Sequence, residues 1–198
     1  QKLGEVFPTA EGEPVRMTIE RDEARSFRVR LELRKIDIDP VHWWMVDGTI
    51  AHLYLYEFTT GSADALSEAI DQAIAAGAES FILDLRNNGG GLIDELEKVA
   101  ALFMPTGTPI YQQEDRNGNR NPIVVEGGPE FDYPLVVLVN RGTASSAEIT
   151  AAALSEAGIG TTVGETTFGT GTGLEIHTFE DGSVLFLVVV LWLTPSGE

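Results

Sequence analysis

At 198 residues with 43% apolar side chains, the chain is long enough for one domain with a sizeable core, and no run approaches the ~18 apolar residues of a membrane-spanning helix. The absence of cysteine excludes thiol chemistry and zinc–thiolate sites. A net charge of −18 would repel phosphate backbones, which argues against nucleic acid as a partner.

The charge is uneven. Residues 1–35 hold eight of the thirteen basic residues, whereas 36–198 hold five basic against twenty-four acidic. No signal peptide is legible at the start, and no metal or cofactor is expected.

Residues 1–12 show no pattern. Apolar residues then alternate (Val15, Met17, Ile19), the chain turns through 21–25, and alternation resumes (Phe27, Val29, Leu31, Leu33), which predicts a hairpin with one buried face. Residues 36–46, with Pro40 and the packing pair Trp43-Trp44, read as a connection. A strand is predicted over 50–58, then a helix with Ser62 as N-cap, an apolar stripe of Leu66, Ile70, Ala73 and Ile74, and a stop at Gly77.

The run 80–85 reads as a strand buried on both faces. It breaks at Arg86-Asn87-Asn88-Gly89-Gly90-Gly91, and a helix with Leu92, Leu96, Val99, Ala100 and Phe103 on one side follows. Strands near 109–112 and 123–126 around Asn117-Gly118 predict a second hairpin. Residues 134–157 repeat the order of buried-type strand, turn and helix, and a short strand is expected at 161–164. The segment Gly169–Gly173 leads into a closing hairpin, 174–179 and 183–193, joined at Asp181-Gly182. Strands alternating with helices predict an α/β body.

Two strand–turn–helix junctions stand out. Each offers free backbone N–H groups at the carboxyl end of a strand, and two such donors converging on one point form an oxyanion hole. Gly89 to Gly91 would let a carbonyl approach without a Cβ in the way. At the second junction Ser145-Ser146-Ala147-Glu148 matches a capping box, so Ser145 reads either as an ordinary N-cap or as an activated nucleophile.

Four segments, 83–91, 142–149, 163–169 and 193–197, resemble in order and spacing the C-terminal processing (tail-specific) serine peptidases. The resemblance covers 47–198 as a peptidase core. It implies a crotonase-like α/β fold, Ser145 as nucleophile, the N–H of Ser146 and that of Gly90 or Gly91 as oxyanion donors, and protein or peptide C-terminal tails as substrates. Residues 1–46 would then hold the last hairpin of a PDZ-like domain and a linker. It also implies work outside the cytoplasm, in the periplasm or cell envelope.

In the family a lysine acts as base, and that position here is Thr170; the family's glutamine position is Leu174. A threonine hydroxyl has no protonation change near neutral pH and cannot replace a desolvated lysine. The chain's three lysines are Lys2, Lys35 and Lys98, of which Lys98 is expected to be solvated; the other candidates, His42, His52 and His177, are expected to be structural or at the surface. Glu148 and Glu156 are expected to orient or to serve the helix. The expected function is therefore a weak or impaired serine peptidase working through an acyl-enzyme. The alternatives are a silent peptidase-fold module binding peptides or apolar ligands and, further off, an acyl-thioester enzyme of the crotonase-like group.

Overall fold

The computed structural model describes residues 12, 14–21, 24–32, 34, 38–128 and 131–198. The chain divides into two units, Gln1–Ile38 and Asp39–Glu198. In the first, β1 (Pro14–Arg21) and β2 (Ala24–Glu32) pair antiparallel. Val15 faces Leu31, Met17 faces Val29 and Ile19 faces Phe27, so the alternating apolar residues do share one face. The turn residues 22–23, Leu33, and the bases Lys2 and Lys35 lie outside the described residues.

The second unit holds a five-stranded sheet in the order β3 (Val41–Val46), β4 (Ile50–Leu55), β5 (Ser80–Asp84), β8 (Leu135–Val139), β9 (Gly160–Gly164) and a four-stranded sheet in the order β10 (Thr172–Thr178), β11 (Val184–Leu193), β6 (Pro109–Glu114), β7 (Arg120–Val124). In the first sheet, β4 (Ile50–Leu55), β5 (Ser80–Asp84), β8 (Leu135–Val139) and β9 (Gly160–Gly164) run parallel. Parallel neighbours need long connections, and each contains a helix: α1 (Ser62–Ala75), α2 (Ile93–Phe103) and α3 (Ser146–Glu156). Leu53, Leu83 and Val137 form one cross-strand row with no exposure. The three helices pack in a row, α1 on α2 and α2 on α3. This is the mixed α/β architecture expected of the sequence.

Several details differ from expectation. The connection read at 36–46 contains β3 (Val41–Val46), antiparallel to β4 across a turn in which Asp47 and Gly48 have φ of 49° and 80°. Trp43 packs against the core and donates to Gln72 (3.0 Å), while Trp44 stacks on His52. Pro40 masked the alternation Val41, Trp43, Met45 that marks this strand. Burial in β8 alternates, so the second face of its apolar run is only half covered.

Ser62 is the first residue of α1, not its cap. Gly61 takes the cap position at φ 88°, and the buried carboxylate of Glu95 on α2 accepts the Ala63 N–H (2.9 Å) and the Ser62 hydroxyl (3.3 Å). In the other sheet, β6 (Pro109–Glu114) and β7 (Arg120–Val124) form the expected hairpin. Pro122 is tolerated because β7 is an edge strand. β10 (Thr172–Thr178) and β11 (Val184–Leu193) close the chain as an antiparallel pair.

Candidate active site

The two strand–turn–helix junctions meet because β5 and β8 are parallel neighbours, so their carboxyl ends, and the turns that follow, lie side by side. Hydrogen bonds join the turns. Thr143 Oγ1 donates to the Leu85 carbonyl (2.7 Å), and the Ala144 N–H donates to the Asn88 carbonyl (2.9 Å). The Asn87 N–H donates to Asn140 Oδ1 (2.8 Å), while Asn140 Nδ2 donates back to Asn87 Oδ1 (3.0 Å). Ser146 Oγ reaches the Gly91 carbonyl (3.0 Å), and buried Asn88 anchors the first turn to the Leu55 carbonyl (2.9 Å). The glycine triplet and the serine pair therefore face each other.

Their approach is close enough to require glycine. A Cβ built on Gly90 would stand 2.7 Å from Ser145 Cβ and 2.9 Å from Ser146 N, and Gly90 has φ of +94°. At Gly91 a Cβ would fall 2.2 Å from the Phe58 carbonyl oxygen.

Ser145 is the N-cap of α3, but with φ 53° and ψ −123° it is not in the extended region where N-caps normally sit. Such a strained residue on a sharp strand-to-helix turn is how a serine is held exposed above a sheet, and its cost of about 1–3 kcal/mol is met by the surrounding bonds. The N–H of Ser146 is first in the helix and has no intrahelical acceptor. The Gly90 N–H is engaged by Asn88 Oδ1 (2.9 Å). Among the described residues that leaves the N–H groups of Ser146 and Gly91 without an acceptor.

Glu148 links the nucleophile position to the segment carrying residue 170. Its Oε2 accepts the N–H of Ser145 (2.8 Å), the carboxylate half of the capping box, and also the N–H of Thr170 (3.0 Å). Its Oε1 accepts the N–H of Gly169 (2.7 Å). The Thr170 amide thus hangs on the same oxygen as the Ser145 amide. Beside them opens a cleft of about 300 Å³, lined by Glu148 and Thr170 and walled by Ile110, Ile149, Trp192 and Leu193.

Other expected residues lie elsewhere. Leu174 is half exposed on β10. Glu156 sits at the far end of α3, where its carboxylate accepts the N–H (2.7 Å) and hydroxyl (3.1 Å) of Ser196; it anchors the last turn of the chain rather than orienting Ser145. Each described base candidate has another partner. Lys98 pairs with Glu95 (2.9 Å), His177 lies 3.6 Å from Glu175, and His42 meets Tyr56 edge-on. His52 is stacked on Trp44 and bonded to Asp84 (2.9 Å). No histidine or lysine nitrogen is hydrogen-bonded to Ser145 among the described residues.

The Asp84 cluster is a part of the site that reading the sequence missed. Asp84, 1% exposed, accepts from the Arg86 N–H (3.0 Å), Nε (2.8 Å) and Nη2 (2.6 Å) as well as from His52, and so sets the first residues of the glycine turn. Burial by itself would raise its pKa, but the bonds from Arg86 and His52 outweigh that and hold it below the ordinary value. A depressed carboxylate stabilises the fold above its ordinary pKa of about 4, and that contribution is lost as the pH falls further. Asp84→Asn is expected to cost about 2 kcal/mol at pH 7 and to flatten the acid limb of stability against pH. Urea melts from pH 7 down to pH 3 check this; parallel curves for the two proteins would refute it.

The sequence profile of Peptidase family S41 matches residues 49–198. The chain is 37% identical over 187 residues to "Carboxy-terminal processing protease CtpA" of Bacillus subtilis, covering 94% of this chain and 40% of that protein. It is 38% identical over 154 residues to "Carboxyl-terminal-processing peptidase 3, chloroplastic" of Arabidopsis thaliana, covering 76% of this chain and 30% of that one. Its structure superposes on a photosystem II D1 C-terminal processing protease with a TM-score of 0.73 at 28% identity, over 94% of this chain and 52% of the other. The chain thus spans about two fifths or less of the length of these two curated relatives. Motif order, fold and identity agree, and the chain belongs to peptidase family S41, the carboxy-terminal processing serine proteases.

Proposed function

We propose that the chain carries an acyl-transfer site for peptide bonds, with Ser145 as nucleophile, slowed by the loss of the lysine base. The observation that carries this reading is Ser145 itself: a serine at positive φ on a helix N-terminus, closed against a glycine turn, with the neighbouring Ser146 N–H unclaimed. Ser145 Oγ attacks the peptide carbonyl carbon, and the oxyanion is received by the N–H groups of Ser146 and Gly91. As the C–N bond breaks, the leaving nitrogen takes a proton from water and departs as the amine; a second water then attacks the ester, releasing the carboxylic acid and restoring the Ser145 hydroxyl. Because Thr170 cannot take the Ser145 proton, that proton passes to solvent water and the attack is slow. Substrates would be protein C-terminal tails, in keeping with the carboxy-terminal processing that the relatives' names state of those proteins, and the site would work outside the cytoplasm.

The engagement of every described histidine and lysine elsewhere favours a second reading, a module that holds peptides in the same cleft without cleaving them. A fluorophosphonate separates the two, since it needs a nucleophile but no turnover. Slow labelling of the parent and none of Ser145→Ala, read by intact mass, is the expected outcome. A parent that keeps its fold and takes no label over a day establishes the silent module.

A further inference from the structure

The peptide groups on either side of Gly91 are held from one direction by Phe58. The Phe58 N–H donates to the Gly90 carbonyl (2.9 Å), and the Phe58 carbonyl accepts the Leu92 N–H (2.7 Å), a parallel bridge between the chain after β4 and the glycine turn. In a trans peptide the carbonyl and the N–H point opposite ways. The Gly91 N–H shares its peptide group with the Gly90 carbonyl and therefore points away from Phe58. The Gly91 carbonyl, which shares its group with the Leu92 N–H, does the same.

On that far side lies the start of α3. Ser146 has no exposure, and its Oγ donates to the Gly91 carbonyl (3.0 Å) across fifty-five positions of sequence. The same two residues supply the two unclaimed N–H groups of the site. The other hydrogen bonds between the turns are made at Leu85, Asn87 and Asn88, three or more residues before Gly91. Glycine is the residue that resists backbone rotation least, so a position set at Asn88 is poorly transmitted through Gly89 and Gly90. The Ser146 hydroxyl makes its bond at Gly91 itself.

We infer that the Ser146 hydroxyl is a positioning residue for the oxyanion site: Phe58 sets the direction of the Gly91 N–H, and Ser146 Oγ sets its distance from the Ser146 N–H, so that both reach one oxygen. This rests on Ser145 being the nucleophile and adds the side chain beside it, which acts through Gly91 and touches no substrate. Gly91 is exposed, so water can satisfy its carbonyl once the hydroxyl is gone. The fold then loses little, while the two donors lose their spacing.

Fluorophosphonate labelling at several probe concentrations, read by intact mass, tests this by separating the maximal rate from the half-saturating concentration. Loss of a whole oxyanion donor costs about 10²–10³ in rate, and Ser146→Ala, which loosens one, is expected to lower the maximal rate about 10–100-fold. The half-saturating concentration should stay unchanged and Tm should stay within about 4 °C of the parent's. Ser146→Thr keeps a hydroxyl and is expected to recover most of the parent's rate. An alanine variant that labels as fast as the parent overturns the inference and leaves Ser145 as nucleophile. So does a threonine variant as slow as the alanine one, or an alanine variant whose Tm falls by about 10 °C or more, since the bond would then serve the fold. A parent that takes no label removes this inference together with the acyl-transfer reading.

Discussion

A Thr170→Lys variant is expected to hydrolyse an unstructured peptide about 10²–10⁴ times faster than the parent, the range a positioned general base supplies. The backbone at 170 is already docked: Glu148 Oε2 accepts the amides of both Thr170 and Ser145, and the Phe168 N–H is held by the Thr143 carbonyl (2.9 Å). Thr170 borders the 300 Å³ cleft, whose lining also includes Ile149 and Trp192. Those apolar walls favour the neutral amine, while the Glu148 carboxylate favours the ammonium. Glu148 already accepts three N–H groups, which weakens its pull on a fourth. Activity should accordingly rise with pH as the ammonium deprotonates, and vanish when Ser145→Ala is added. A variant with the parent's circular dichroism and no gain in kcat/KM would show that residue 170 does not face the nucleophile, or that the N–H groups of Ser146 and Gly91 do not form an oxyanion site.

Gly90→Ala is expected to destabilise the fold by about 3 kcal/mol, a drop of roughly 6–12 °C in Tm, and to abolish fluorophosphonate labelling of Ser145. Two effects add. Alanine at φ +94° is strained, and its methyl would meet Ser145 Cβ at 2.7 Å and the Ala144 carbonyl oxygen at 2.8 Å. Those neighbours are backbone or sit directly on it, and the hydrogen bonds between the turns resist their withdrawal. Gly89→Ala is the control, because a Cβ there meets nothing within 4 Å, and its effect should stay within ~0.5 kcal/mol. Equal melting temperatures for the two variants would refute the close approach of the turns.

Much of the fold was legible along the chain because its signals are local. The apolar runs of β5 and β8, the stripe of α2 and the turn at Asp181-Gly182 depend only on periodicity and turn chemistry. β3 was hidden because Pro40 and two adjacent tryptophans resemble a linker more than a strand, and the cap of α1 because its carboxylate comes from Glu95, thirty-two positions beyond the amide it accepts. The paired asparagines, Asn87 and Asn140, one in each turn, were a readable sign that the two turns match.

By itself the sequence determined the residues at hand: a serine after a buried strand, a glycine triplet after another, and a threonine at the position where the family resemblance implies a lysine. It could not determine that the Gly90 N–H is taken by Asn88, that Glu156 serves the chain's last turn, or that Glu148 ties position 170 to Ser145. Those facts depend on which donors and acceptors come within 3 Å of one another. Tertiary packing decides that, by setting β5 beside β8 and bringing segments more than fifty residues apart into one cluster.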